Sequence, residues 1–266
     1  VPIFLDGLDV GESHEVYHAV SEKTGEILNS DWEPLSLNAM EDWLQTAPEN
    51  HRVLFVMAAG LHNALKPEDS VIKYQGREAV KLLVKREMTR IHSLAKNCGE
   101  NDKCVFARLL AVATIAGSLS ANQIGHLIEC YGKSCRFPSL SNAIDEMVKA
   151  GFMFGTEVEA LKPDIVAASF VIHVLGQAPE FAPELIWAAL ECDLESSMYR
   201  FSRLAYDSEY VLMEDEHRLS LWLSKAIEGN ADRAHRIDSV ISGNTLPITL
   251  FYGTIAVCKA ILPLCT

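Results

Sequence analysis

Hydrophobic and polar positions change rhythm along the chain, and the first 75 residues differ from the rest. The short apolar run Val1 to Leu5 ends in Asp6-Gly7-Leu8-Asp9. That pattern predicts a buried parallel strand whose C-terminal end delivers acidic side chains into a crevice. Lys23-Thr24-Gly25-Glu26 then separates Val16 to Val20 from Ile27-Leu28, which predicts a short hairpin between Tyr17 and Leu28. A helix is expected over Leu37 to Thr46. The run Arg52 to Ala58 reads as a second buried strand. Strand, helix, strand is the rhythm of an α/β unit, here assigned to residues 1–75.

From Gly76 onward the strand signal fades and apolar residues recur three and four positions apart. Val80, Leu83, Val84, Met88 and Ile91 trace one helix, within a helical linker over 76–100. Phe106, Leu109, Leu110, Ala113 and Ile115 trace the next, after the turn-forming Gly99 to Asp102. Ser120 can cap a helix through Glu129, and Ser139 or Ser141 can cap another that Gly151 closes. Phe152 to Phe154 and Val158 to Leu161 flank Gly155-Thr156 as two short β-prone runs. Helix, helix, two-stranded wing is the order of a winged helix, here over 101–178. Beyond it, about five helical segments suggest a helical-repeat-like region over 179–266. The fold class expected is mainly α, with a partial α/β ATPase core, a winged-helix-like module and this C-terminal region.

Composition narrows the partners. Hydrophobic residues at 49% and charged residues at 22% of 266 are enough to build cores of ordinary globular type. A formal net charge of −13 makes nucleic acid a poor partner, because phosphate backbones are bound by Lys and Arg. No apolar run reaches the roughly 18 to 20 residues that cross a bilayer, and no basic-then-apolar leader opens the chain, so the expectation is a cytoplasmic protein off the membrane. Seven cysteines with no C-x-x-C pair read as reduced, inert thiols, not as a disulfide framework or zinc knuckle.

Two constellations could carry chemistry. A P-loop enzyme needs a carboxylate at the end of a buried strand to hold Mg²⁺ through water and a second acidic group to polarise the attacking water. Asp6 and Asp9 have that placement. The stretch resembles the Walker B segment of NACHT and other STAND ATPases, where an apolar strand ends in Asp-Gly-Leu-Asp-Glu. Val10 stands where the family has its last Glu, with Glu12 two residues on.

Further similarities follow in the family's order. Gly76 to Val80 with Arg86 to Arg90 resembles the helix after the ATPase core, and Leu109 to Leu119 resembles the start of the winged helix. Leu161-Lys162-Pro163-Asp164 resembles the nucleotide-sensing Met-His-Asp segment, with Pro163 in place of His. The resemblance implies Asp9 and Glu12 as catalytic residues, Asp6 and Asp164 at the nucleotide, and Asp6 on Mg²⁺ through water. ATP or ADP and Mg²⁺ are thus the cofactors implied for the full-length protein. No G-x-x-x-x-G-K-[ST] occurs, so the phosphate cradle is expected outside this sequence and no nucleotide is expected on this chain alone. The resemblance also implies a signalling switch that senses a protein partner through its helical region and forms an oligomer in the active state.

The second constellation is His14-Glu15-Val16-Tyr17-His18, literally H-E-x-x-H. On a helix it would put two imidazoles on one face for Zn²⁺, with Glu15 as general base and Glu33, Glu41 or Asp42 as third ligand. The adjacent Lys23-Thr24-Gly25 turn favours a strand instead, which separates Glu15 from the two rings. A zinc metallohydrolase is therefore the third reading, behind a non-catalytic helical interaction module. His173 is expected to be a hydrogen-bonded helix histidine, Glu214 to Glu216 a helix N-terminus, and Trp187, Tyr199, Phe201 and Trp222 core residues.

Overall fold

The computed structural model describes residues 7–67, 76–162, 164–208, 212 and 218–242. The fold is mainly α-helical. It divides into two compact units, Val1–Arg86 and Glu87–Thr266.

In the first unit, α1 (Val10–Leu28) starts at an Asp9 cap and ends at Asn29, whose left-handed φ of 51° turns the chain out of the helix. Its buried residues are Ser13, Tyr17, Ser21 and Gly25, spaced four apart on one stripe. Small side chains let this stripe approach α3 (Val53–Leu65) closely. The Ser21 hydroxyl donates to the Gly60 carbonyl at 3.0 Å, and Ser30 Oγ donates to the Ala64 carbonyl at 2.6 Å. Trp32 packs directly over Gly25, where an added Cβ would lie 2.3 Å from the indole.

Between them, α2 (Leu37–Thr46) buries Met40, Trp43 and Leu44, and a 3₁₀ turn (Pro48–His51) leads into α3. Asn50 is wholly buried and fully used. Its amide donates to the Trp43 carbonyl, and its oxygen accepts the Gly76 N–H at 2.8 Å, which fixes the start of α4 (Gly76–Asn97).

Two expectations fail here. The hairpin predicted between Tyr17 and Leu28 is the second half of α1, because a helix face built from Ser, Tyr, Ser and Gly carries no apolar periodicity to announce itself. The strand predicted over Arg52 to Ala58 is the start of α3. That helix buries Phe55, Val56, Ala58, Ala59, Gly60 and Ala64 around most of its circumference, so its sequence is apolar throughout and periodicity cannot separate it from a buried strand. Among the described residues the first unit holds no strand, so the described part of the partial α/β core over 1–75 is helical. Val1 to Leu5, the first expected strand, and Asp6 lie outside the described residues.

In the second unit, α5 (Val105–Ala116) has all twelve residues buried and is the central helix. β1 (Ser118–Ser120) follows, then α6 (Ala121–Tyr131), α7 (Leu140–Lys149), β2 (Met153–Phe154) and β3 (Glu157–Glu159). The three strands form an antiparallel sheet in the order β1-β3-β2, with Leu119 opposite Val158 and Met153 opposite Val158. Helix, helix and two-stranded hairpin thus follow one another in the order read from the sequence, with β1 as a third strand. Ser120 makes a capping box with Gln123 for α6, and Gly151 closes α7 at a φ of 71°. The second half of α4 reaches this module through Arg90, which donates to the Ala150 carbonyl at 2.9 Å and lies 4.3 Å from the centre of the Phe152 ring.

Four described helices complete the unit after α8 (Asp164–Gln177): α9 (Ala182–Cys192), α10 (Leu194–Tyr206), α11 (Arg218–Ile227) and α12 (Ala231–Ser242). α9 packs on α5, α10 and α11, with Trp187 in its buried face. Phe201 and Trp222 are buried as expected, whereas Tyr199 is 43% exposed, because it falls on the outer side of α10. Glu214 to Glu216 and Pro163 lie outside the described residues.

Candidate functional site

Asp9 and Glu12, the acidic pair expected at a nucleotide, meet at the start of α1. Asp9 Oδ1 accepts the Glu12 N–H at 2.8 Å, and Glu12 Oε2 accepts the Asp9 N–H at 3.0 Å. Each carboxylate thereby satisfies a backbone donor that the helix terminus leaves open. The entry to this turn is fixed by Leu8, whose N–H donates to the His51 carbonyl at 2.8 Å while His51 Nδ1–H donates to the Leu8 carbonyl at 2.9 Å. The outer carboxylate oxygens remain on an exposed turn, where a cation or water could reach them.

The H-E-x-x-H residues stand on a helix, contrary to the strand favoured by the sequence. His14 and His18 share a face with ring centres 4.6 Å apart, and His18 meets Trp32 edge-on at 5.4 Å. His14 Nε2 lies 2.8 Å from the Leu35 carbonyl. A carbonyl only accepts, so Nε2 carries the proton and is engaged by that bond. Glu15 is exposed on α1. Among the described residues no group of three His, Cys, Asp or Glu side chains is arranged to hold a metal ion, so neither Glu33, Glu41 nor Asp42 completes a site with this pair.

Asp164 opens α8 in the second unit and is exposed. Its position in the first turn suits a carboxylate, because the helix N-terminus carries partial positive charge. Leu161, just before it, donates its N–H to Thr114 Oγ1 at 3.4 Å, which ties the end of the wing to the central helix.

The structure also assembles groups that no sequence signal had joined. Cys104 caps α5, with its Sγ 3.8 Å from His92 Nε2 on α4 and 3.7 Å from Gln177 Oε1 on α8. Gln177 Nε2 donates in turn to His173 Nε2 at 3.0 Å. Burial pushes the Cys104 thiol up, helped by the Asp102 charge. Burial also pushes both imidazoles down, and for His92 the charges of Lys103 and His173 add to that. A protonated thiol beside neutral imidazoles is a packed hydrogen-bonded chain, not an ion pair that activates a nucleophile. Burial likewise raises Cys98, Cys192 to about 11 and Cys135 to about 12.

No protein-family model, curated protein or solved structure matches the chain. No described helix is long and apolar enough to cross a membrane.

One cleft of about 240 Å³ opens between α6 and α9, walled by His126, Leu127, Tyr131 and Glu191. Tyr131 donates its hydroxyl to Glu191, which also accepts from Trp187 and faces Arg236 and Arg233. Burial pushes the Glu191 carboxyl up, but those hydrogen bonds and charges outweigh it and hold it below the usual carboxylate range.

Proposed function

We propose that this chain is the distal part of a nucleotide-controlled signalling switch of the STAND ATPase type. In this reading the winged helix and the helices around it close over ADP, and the C-terminal helices sense a protein partner. The observation that supports it best is the order of elements in the second unit. A long helix, α4, precedes α5-β1-α6-α7-β2-β3, the sheet runs β1-β3-β2, and Asp164 opens α8 directly after the wing. That is the order in which the resembling motifs occur along the sequence.

Each acidic residue then has a part. Asp6 would hold Mg²⁺ through water, Asp9 and Glu12 would orient the attacking water, and Asp164 would face the nucleotide at a helix N-terminus. The Arg90 contacts to Ala150 and Phe152 couple α4 to the winged-helix module, so a shift of that helix would be felt by the module. The test is binding of Mg·ADP by the full-length product, with Asp164→Ala weakening it about tenfold, the size of one lost charged contact. Full affinity in that variant would overturn the sensing role.

A second reading, a non-catalytic helical interaction module, is favoured by the capping box itself. Asp9 and Glu12 each already satisfy a backbone N–H, and a purely structural role explains both. The two readings separate on nucleotide binding by the longer protein.

A further inference from the structure

α12 meets α9 through two arginines. Arg233 Nη1 and Nη2 donate to the two Glu184 oxygens at 3.0 and 3.2 Å, and Nη1 also donates to the Ala226 carbonyl at 2.8 Å. The same guanidinium lies 4.7 Å from the centre of the Trp187 ring. Arg236, one turn on, lies 5.3 Å from that ring and donates to Glu191 at 3.4 Å. Glu184, Trp187 and Glu191 stand at positions i, i+3 and i+7 of α9, so they form one acidic-aromatic stripe. Two cations therefore share one indole, each with a carboxylate behind it.

We propose that this stripe is a recognition surface for a cationic helix with two arginines one turn apart, and that α12 occupies it in cis until a protein partner with such a helix displaces it. This deepens the partner-sensing role proposed above and rests on it for its purpose. Three features carry the inference. Planar guanidinium, paired carboxylates and an aromatic face match each other in geometry as well as charge, and lysine would reproduce neither the fork nor the stacking. Among the described residues of α12 only Ile237 is buried, so little apolar surface binds the helix in place. The Arg233–Glu184 and Arg236–Glu191 pairs are partly open to water, so added salt screens both. A helix held this way can be exchanged for a competitor of the same chemistry.

The test uses the full chain and a labelled peptide with the sequence of residues 229–242. In Arg233→Glu/Arg236→Glu, α12 amides should lose hydrogen-exchange protection while α8, α9 and α10 keep theirs. The peptide should bind this variant. It should bind the wild type about tenfold or more weakly, because the tethered helix competes at high effective concentration. Adding Glu184→Gln/Glu191→Gln should abolish binding, and added salt should weaken it. Arg233→Ala/Arg236→Ala serves as the milder variant if charge reversal disturbs folding. The proposal is overturned if α12 stays protected in both arginine variants, or if the peptide binds as well without the two carboxylates. Nucleotide takes no part in the assay, so failure of the nucleotide switch would leave its outcome readable.

Discussion

The Ser21 hydroxyl donates to the Gly60 carbonyl at 3.0 Å, and a methyl group placed on Gly60 would stand 2.8 Å from the Tyr17 carbonyl. α1 and α3 thus meet backbone to backbone, and the obstacle to any side chain at 60 is another helix's main chain. Gly60→Ala should destabilise the protein by about 1 to 3 kcal/mol, the usual cost of forcing atoms into a packed contact. Gly125→Ala on α6 is the matched control, because nothing lies within 4 Å of its added methyl. That change should stabilise by roughly 0.5 to 1 kcal/mol through helix propensity. Urea unfolding of the two variants measures both, and equal effects would contradict the close crossing.

The capping box separates charge from hydrogen bonding at Asp9. Asp9→Asn keeps an acceptor for the Glu12 N–H and should leave thermal stability nearly unchanged, whereas Asp9→Ala should cost about 1 kcal/mol. In any longer product that hydrolyses ATP, the same Asn variant removes the charge proposed above for catalysis. Wild-type hydrolysis with Asn at position 9 would reduce Asp9 to its cap.

Arg108 is 3% exposed and is neutralised by Asp102, with the Arg136 carbonyl accepting from the same guanidinium at 2.9 Å. Burial pushes the Asp102 carboxyl up, but the hydrogen bonds from Arg108 and the Cys104 N–H and the charges of Arg108 and Arg136 hold it below the usual range. A depressed folded pKa means that the unfolded chain takes up the proton first. The pair's contribution is therefore complete above the unfolded carboxylate pKa of about 3.9 and is lost as pH falls through the folded value. Asp102→Asn should cost about 2 kcal/mol at neutral pH, below the range for fully buried pairs because Asp102 is partly solvated. The variant's stability should also fall less steeply than the wild type's below about pH 4. Chemical unfolding across that range decides it, and parallel curves would contradict the assignment.

The second unit was far more legible in the sequence than the first, for reasons visible in particular residues. Ser120, Gly151 and Gly155 punctuate the stretch from α6 to β3 with cap and turn chemistry, and α7 and the hairpin stand where those signals put them. In the first unit the buried stripe of α1 is Ser13, Tyr17, Ser21 and Gly25, so its information lies in smallness and not in hydrophobicity. α3 has the opposite defect, being apolar on nearly every side. Of the site residues, Asp9 and Glu12 could be recognised as a capping pair only once α1 was known to begin at Val10. The hydrogen-bonded chain from His92 through Cys104 and Gln177 to His173 joins three helices and leaves no local trace.

The most direct test of the nucleotide-switch reading is calorimetric titration of Mg·ADP and Mg·ATP into this 266-residue chain and into any longer product of the same gene. No ordinary nucleotide affinity is expected of the chain alone, because its sequence contains no G-x-x-x-x-G-K-[ST]. The account predicts tight binding by a longer product that carries a Gly-rich loop ending in Lys-Ser or Lys-Thr, weakened by Asp164→Ala. Micromolar binding by the 266-residue chain, or a longer product with neither the loop nor nucleotide affinity, would contradict it.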